Sequence, residues 1–387
     1  MKNVYLFIAG LIFLIDVSNT DTTQSVPELV KNKEFQVSAV AALDSLYNRN
    51  YSSARDILKP WEDEHPEHPV WLLWDAMDFW WVVLNDLHND EYDEELFARM
   101  EKADKAAIKL LEEQPENADA YIIRAVANGY MARQHANRER WIRSIRTART
   151  AQNAHEKLQE YAPDLADNLF AEGLKKYYSA YLPEAYTVVR MVSWLLPDGD
   201  KEKGLELLGK TSQSAIFARP EATYFLGMIL LNYEKEYNEA VSHFVTLVET
   251  YPNNGYYRRL LIRTLFQLQQ DTHAKTEIRS ALEHWTNIGL KDDRVLKEEL
   301  LYWLGRIDFR SGDLNSAHDY FQQSYAMGFE LPNRPNRSFH VLSGYYAGRT
   351  AQLLGDSITA RDYYLEVSRL ETEPDVRKRA EERIREL

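Results

Sequence analysis

Cysteine is absent from the 387 residues. Disulfides, thiolate metal sites and a cysteine nucleophile are therefore excluded, and so is the lipidated Cys by which many exported proteins are anchored. Glycine and proline are sparse, at 15 and 13. No Gly-rich phosphate loop, dinucleotide fingerprint or Gly-x-Ser-x-Gly occurs, so an enzyme has no positive support and no cofactor is expected. Positive charge is in deficit: 46 Lys and Arg face 60 Asp and Glu, a formal charge of -14. Phosphate-backbone affinity rests on clustered Lys and Arg, so no nucleic-acid partner is expected.

Long apolar runs are lacking too. Lys2 precedes the stretch Val4 to Ile15, apolar except for Tyr5 and Gly10, and Asp16 breaks it. That stretch is shorter than the ~18–20 residues that span a bilayer, so residues 1–20 read as a signal peptide or short N-terminal anchor. The expected location is exported, periplasmic or associated with a bacterial-type cell envelope, with membrane contact at most through residues 4–15. Residues 21–33 are polar and read as a linker.

What is present in abundance is helical periodicity. Segments such as EATYFLGMILL, YYRRLLIRTLFQL and EELLYWLGRIDF place large side chains at i, i+3 and i+4. The chain also repeats itself. Ala54, Ala103, Ala151 and Ala240 are each followed twelve residues later by a proline, at Pro66, Pro115, Pro163 and Pro252. A small residue lets a second helix approach the first, and the proline ends it. Later units supply the other half of the pattern. Gly305 leads to Ala317 and Phe321, and Gly348 leads to Ala360 and Tyr364 at the same spacings.

These residues (WLGRIDFRSGDLNSAHDYF and YYAGRTAQLLGDSITARDYY) closely resemble the tetratricopeptide helix-turn-helix unit. The resemblance implies an all-α, right-handed solenoid of seven or eight helical pairs. The second-helix positions are Ala54, Ala103, Ala151, Gly204, Ala240, Ala274, Ala317 and Ala360. Residues 34–200 form a divergent long-repeat region, 201–372 the regular repeats and 373–387 a capping helix. Pro60 falls inside the second helix of the first unit and should kink or shorten it. Residues 173–208 depart from the standard unit, reading as a helix, a Leu-Pro break, an apolar helix and a PDGD start. They faintly resemble the middle of eukaryotic repeat proteins linked to the mitochondrial outer membrane and inclusion clearance.

Candidate chemistry is thin. His65 and His68 in EDEHPEHP lack further ligands nearby and read as a solvated turn. The acidic loop from Asp86 to Glu95 lacks calcium-loop spacing, and His155-Glu156 is followed by Gln159 where a zinc helix needs a second His. No metal is expected. Residues 131–150 hold six Arg and one Glu, with Arg140, Arg143, Arg146 and Arg149 every three residues, while residues 86–104 hold eight acids and two bases. Pairing between these neighbouring helices is the plain expectation; recruitment of an anionic partner is the alternative.

In tetratricopeptide units the first helix lines the concave surface, and residues three before and one after its packing glycine point inward. That register implies a groove of Arg259, Arg263, Tyr302, Arg306, Arg310, Tyr345 and Arg349. Guanidinium forks and tyrosine faces suit an extended acidic or C-terminal peptide. A non-enzymatic protein-interaction scaffold with a protein or peptide partner follows. The alternative is an envelope accessory protein that captures a glycan or nutrient on exposed tryptophans, resting on WLLWDAMDFWW at 71–81.

Overall fold

A small side chain in every second helix sets how closely each helical pair closes, and the computed structural model shows where these positions lie. It describes residues 25–288, 294–370 and 372–387. The described residues form helices without strands. Eight pairs follow in order: α1 (Lys33–Tyr47) with α2 (Tyr51–Glu64), α3 (Val70–Asn85) with α4 (Asp93–Glu113), and α5 (Ala118–Asn137) with α6 (Trp141–Tyr161). The fourth is α7 (Asn168–Ala185) with α9 (Lys201–Ser214), interrupted by the single turn α8 (Thr187–Arg190). Then come α10 (Arg219–Ile229) with α11 (Tyr237–Thr250), α12 (Gly255–Gln267) with α13 (Asp271–Ile288), α14 (Arg294–Ser311) with α15 (Leu314–Gly328), and α16 (Ser338–Leu353) with α17 (Ser357–Ser368). A last helix, α18 (Pro374–Glu386), buries Val376 and Ala380 against the end of the stack.

The packing follows the sequence repeat. A methyl group added at Gly305 would lie 2.7 Å from the Phe321 ring, and one at Gly348 would lie 2.8 Å from Tyr364. Gly227 meets Phe244 at 2.8 Å in the same way. Ala240, Ala317 and Ala360 are fully buried one turn before those rings. Ala54, Ala103 and Ala274 are equally buried, and Gly204 brings α9 onto the α7 backbone at Tyr177. Ala151 is the exception. It is half-buried, and Ala154 takes the packing place in α6.

Helix ends obey the same economy. Pro66, Pro115, Pro163 and Pro252 each stand two residues beyond the last residue of α2, α4, α6 and α11. Asn50, Asp313 and Asp356 cap α2, α15 and α17 by accepting from backbone amides, which satisfies donors that have no partner within the helix. Helix α2 runs on through Pro60 to Glu64, so the proline does not shorten it.

Residues 25–33 do not behave as a free polar linker. Leu29 and Val30 are buried, and their amides donate to Asp119 at 2.5 and 2.9 Å. His68, expected in a solvated turn, is buried 3.1 Å from the same carboxylate and 3.2 Å from the Pro27 carbonyl. The signal expected over residues 1–20 lies outside the described residues. No helix among the described residues is long and apolar enough to cross a membrane.

The solenoid also folds back on itself. Tyr47 packs on Tyr251, and Trp81 packs edge-on to Tyr257. The Tyr251 hydroxyl donates to Asp44 at 2.7 Å, Asn254 donates to the Tyr47 carbonyl at 2.7 Å, and the Asn253 amide donates to Asn48 at 3.0 Å. These contacts join the first and second pairs to the turn and helix that open the sixth. Near their centre, Glu221 accepts from Tyr130 at 3.2 Å and Tyr47 at 3.3 Å, and Arg133 lies 4.0 Å away. Burial pushes the Glu221 carboxyl above its ordinary range.

Candidate functional site

Helices α12, α14 and α16, each the first of its pair, carry all seven residues expected to line a groove, but the structure sorts them into three kinds. Tyr302 and Tyr345 do not line an open surface. Tyr302 is 2% exposed, because it fills the space between Trp303, Phe339 and Phe321, and burial lifts its hydroxyl pKa to about 12. Tyr345 is 6% exposed; it packs on Tyr364, and α18 lays Arg379 over its ring at 5.2 Å. The expected register misplaces both tyrosines because a large aromatic beside the packing glycine is drawn into the interhelical core.

Arg259 and Arg310 are neutralised internally. Arg259 lies 3.6 Å from Glu299 and donates to the Asn85 carbonyl at 3.2 Å, so it serves the contact with the second pair. Arg310 forms an ion pair with Asp271 and lies over the Phe266 ring at 4.2 Å.

The remaining three are positioned differently. Arg263 donates to the Asn232 side chain at 2.7 Å. Arg306 donates to the Tyr302 hydroxyl at 2.5 Å and stacks on Tyr346 at 4.5 Å and Phe266 at 5.2 Å. Arg349 donates to Gln352 at 3.0 Å, and Gln352 also accepts from Tyr364. All three are half-buried, and each donates to a neutral acceptor. No carboxylate lies within ion-pair distance of any of them among the described residues. A guanidinium flattened on aromatic rings loses little freedom on binding and keeps part of its donor edge for a carboxylate or phosphate.

The repeat identifies itself at these helices, where Gly305 and Gly348 seat the aromatic four residues after a buried alanine. The fold is a tetratricopeptide-type solenoid. No family model matches the chain, and no curated protein does. Among solved structures the chain is similar to PilW, a widely conserved type IV pilus biogenesis factor, at 14% identity and a TM-score of 0.34, over 74% of this chain and 92% of that one. It is similar to human IFIT1, a dimer with PPP-AAAA, at 15% identity and a TM-score of 0.43, over 84% and 70%. A further likeness is to the C-terminal part of a repeat protein from Cytophaga hutchinsonii, at 16% identity and a TM-score of 0.34, over 76% and 96%.

Other sequence candidates settle into structural roles. Trp80 and Trp81 are buried, while Trp71 and Trp74 are half-buried against the Phe35 cluster, with the Trp71 indole donating to the His65 carbonyl at 2.7 Å. No tryptophan of this helix is fully exposed. His155 is buried and 3.0 Å from the Asn168 carbonyl. No group of three or more His, Asp and Glu among the described residues is arranged to hold a metal.

Charge pairing between the acidic and basic regions is real but involves Arg138 rather than the stripe: it meets Asp93 at 2.7 Å. Arg124, before the basic region, meets Asp104 at 3.0 Å. The exposed Arg140, Arg143 and Arg146 make no ion pair among the described residues. Sequence reading also missed Arg337. It is buried, bonds both oxygens of Asp86 at 2.9 and 3.0 Å, and reaches Glu298 at 3.1 Å. It stands outside both repeat motifs, so only the fold reveals it.

Proposed function

We propose that this chain is a non-enzymatic protein-interaction scaffold that holds an extended acidic or C-terminal peptide along α12, α14 and α16, with Arg263, Arg306 and Arg349 as its anchors. The carrying observation is that these three guanidinium groups are oriented by neutral acceptors in a chain whose formal charge is -14. An acidic protein normally offers carboxylates to its arginines. Three half-buried cations left without one attract an external anion, and the rings under Arg306 hold it in place. The apolar run at residues 4–15, preceded by Lys2, supports export and work at a cell envelope.

The test uses arrayed extended peptides, some acidic and some ending in a free carboxylate, probed with the full chain and with an Arg263→Ala/Arg306→Ala/Arg349→Ala variant. Capture should fall by about tenfold or more in the variant while helicity is retained, since each charge-assisted bond contributes about 1.5–3 kcal/mol. Undiminished capture would remove these residues from the site.

A further inference from the structure

Between α7 and α9 the chain makes a projection that the repeat does not require. An apolar helix is expected there; instead residues 187–190 form one helical turn and 193–195 a 3-10 turn. Within Thr187–Arg190, Val189 is the buried residue and serves as the root of the segment. Val188, Met191 and Trp194 point outward at three-residue intervals, 44%, 75% and 78% exposed. The projection is fixed at both ends. Arg190 donates to the Pro183 and Glu184 carbonyls at 3.0 and 3.2 Å, and the Asp200 amide donates to the Lys176 carbonyl at 2.9 Å. Gly199 sits so close to the Ala180 backbone that a side chain there would collide with it.

At the foot of the projection, Tyr186 packs on Trp141 with ring centroids 4.5 Å apart. That contact puts the start of α6 beside it, with Ile142 48% exposed and with Arg140, Arg143 and Arg146 in solvent. Four exposed apolar side chains thus accompany three exposed arginines that make no ion pair among the described residues, to which Arg190 adds a fourth on the projection itself.

We infer that residues 186–196 and the start of α6 form a peripheral contact for an anionic lipid bilayer, in addition to whatever residues 4–15 do. An indole with an apolar body and a polar N–H suits the headgroup boundary, Met and Val suit the acyl region beneath it, and arginines suit anionic headgroups. Charge selects the orientation, because the rest of an acidic surface is repelled by the same bilayer. The apolar groups stand on a projection rather than in a concave pocket, which favours insertion over peptide capture. This contact lies on the fourth pair and the start of α6, uses none of Arg263, Arg306 and Arg349, and stands independently of the peptide reading.

Sedimentation of the full chain with vesicles of phosphatidylcholine containing phosphatidylglycerol, and of phosphatidylcholine alone, tests it. Binding should favour the anionic vesicles and weaken with salt. It should drop about tenfold in each of two variants, Met191→Ser/Trp194→Ser and Arg140→Gln/Arg143→Gln/Arg146→Gln. These side chains are exposed, so folding should be retained, which circular dichroism checks. Failure to bind either vesicle would overturn the inference. So would binding that survives both variants, which would assign it to residues 4–15. A concentration-dependent dimer abolished by Met191→Ser/Trp194→Ser would give the surface to a second copy, also overturning it.

Discussion

Arg337 shows at the scale of one residue how a distant contact is enforced. Its guanidinium serves two carboxylates, Asp86 after α3 and Glu298 in α14, and both Arg337 and Glu298 are withdrawn from water. Replacing it with Met should cost about 3 kcal/mol in urea unfolding, because the carboxylates lose their buried partner. Glu298 keeps one oxygen, Oε1, buried without a hydrogen-bond partner, and burial raises its pKa from 4.5 to about 7. The folded state therefore holds this proton more tightly than the unfolded chain. The stabilisation is complete below about pH 4.5 and is lost as pH rises through about 7. Unfolding free energies measured across that window should fall by on the order of 2 kcal/mol more in the parent than in Glu298→Gln, which cannot ionise. Parallel pH profiles for the two proteins would contradict this. None of it was legible in the sequence, where Asp86 was one of several acids in a loop and Arg337 belonged to no motif.

Elements were far more legible, since helical pairs are set by local chemistry. The Gly305, Ala317, Phe321 spacing and the prolines beyond α2, α4, α6 and α11 mark real packing sites and real helix ends. Gly305→Leu should cost about 1–3 kcal/mol, because Phe321 must leave its place; a cost near zero would mean that the pair closes loosely. The turns within pairs were only partly readable. Arg49, Glu139, Lys235, Gln269, Gly312 and Gly355 all have positive φ and all stand two residues before a second helix. Glycine occupies only the last two of these equivalent places, so the pattern is concealed in the other four. Gln269→Gly should raise the melting temperature through about 1 kcal/mol of relieved strain. Ala151 misled because its distance to Pro163 fits the repeat while Ala154, one turn later, faces the core. Tyr302 and Tyr345 misled because a register transferred from regular units takes no account of how strongly a large ring is drawn into an interface.

The whole molecule departs most from what the repeat suggested. A series of helical pairs predicts contacts between neighbours, whereas here the first, second and third pairs also meet the fifth and sixth through Tyr47, Trp81, Tyr130, Tyr251 and Tyr257. Contacts across some 200 residues depend on the summed rotation of every pair, and no local pattern encodes that sum. The consequence for function is direct. The closure engages Arg259 through Glu299 and the Asn85 carbonyl, so the proposed peptide contact rests on Arg263, Arg306 and Arg349, which the closure does not engage. The absence of cysteine makes the closure measurable, since an introduced pair is then the only one. Asn48→Cys with Asn253→Cys, treated with a short bismaleimide, should join within single folded chains, because the Asn253 amide reaches the Asn48 side chain at 3.0 Å. The same pair should stay unlinked in urea, and an unlinked pair in the folded monomer would contradict the closed solenoid.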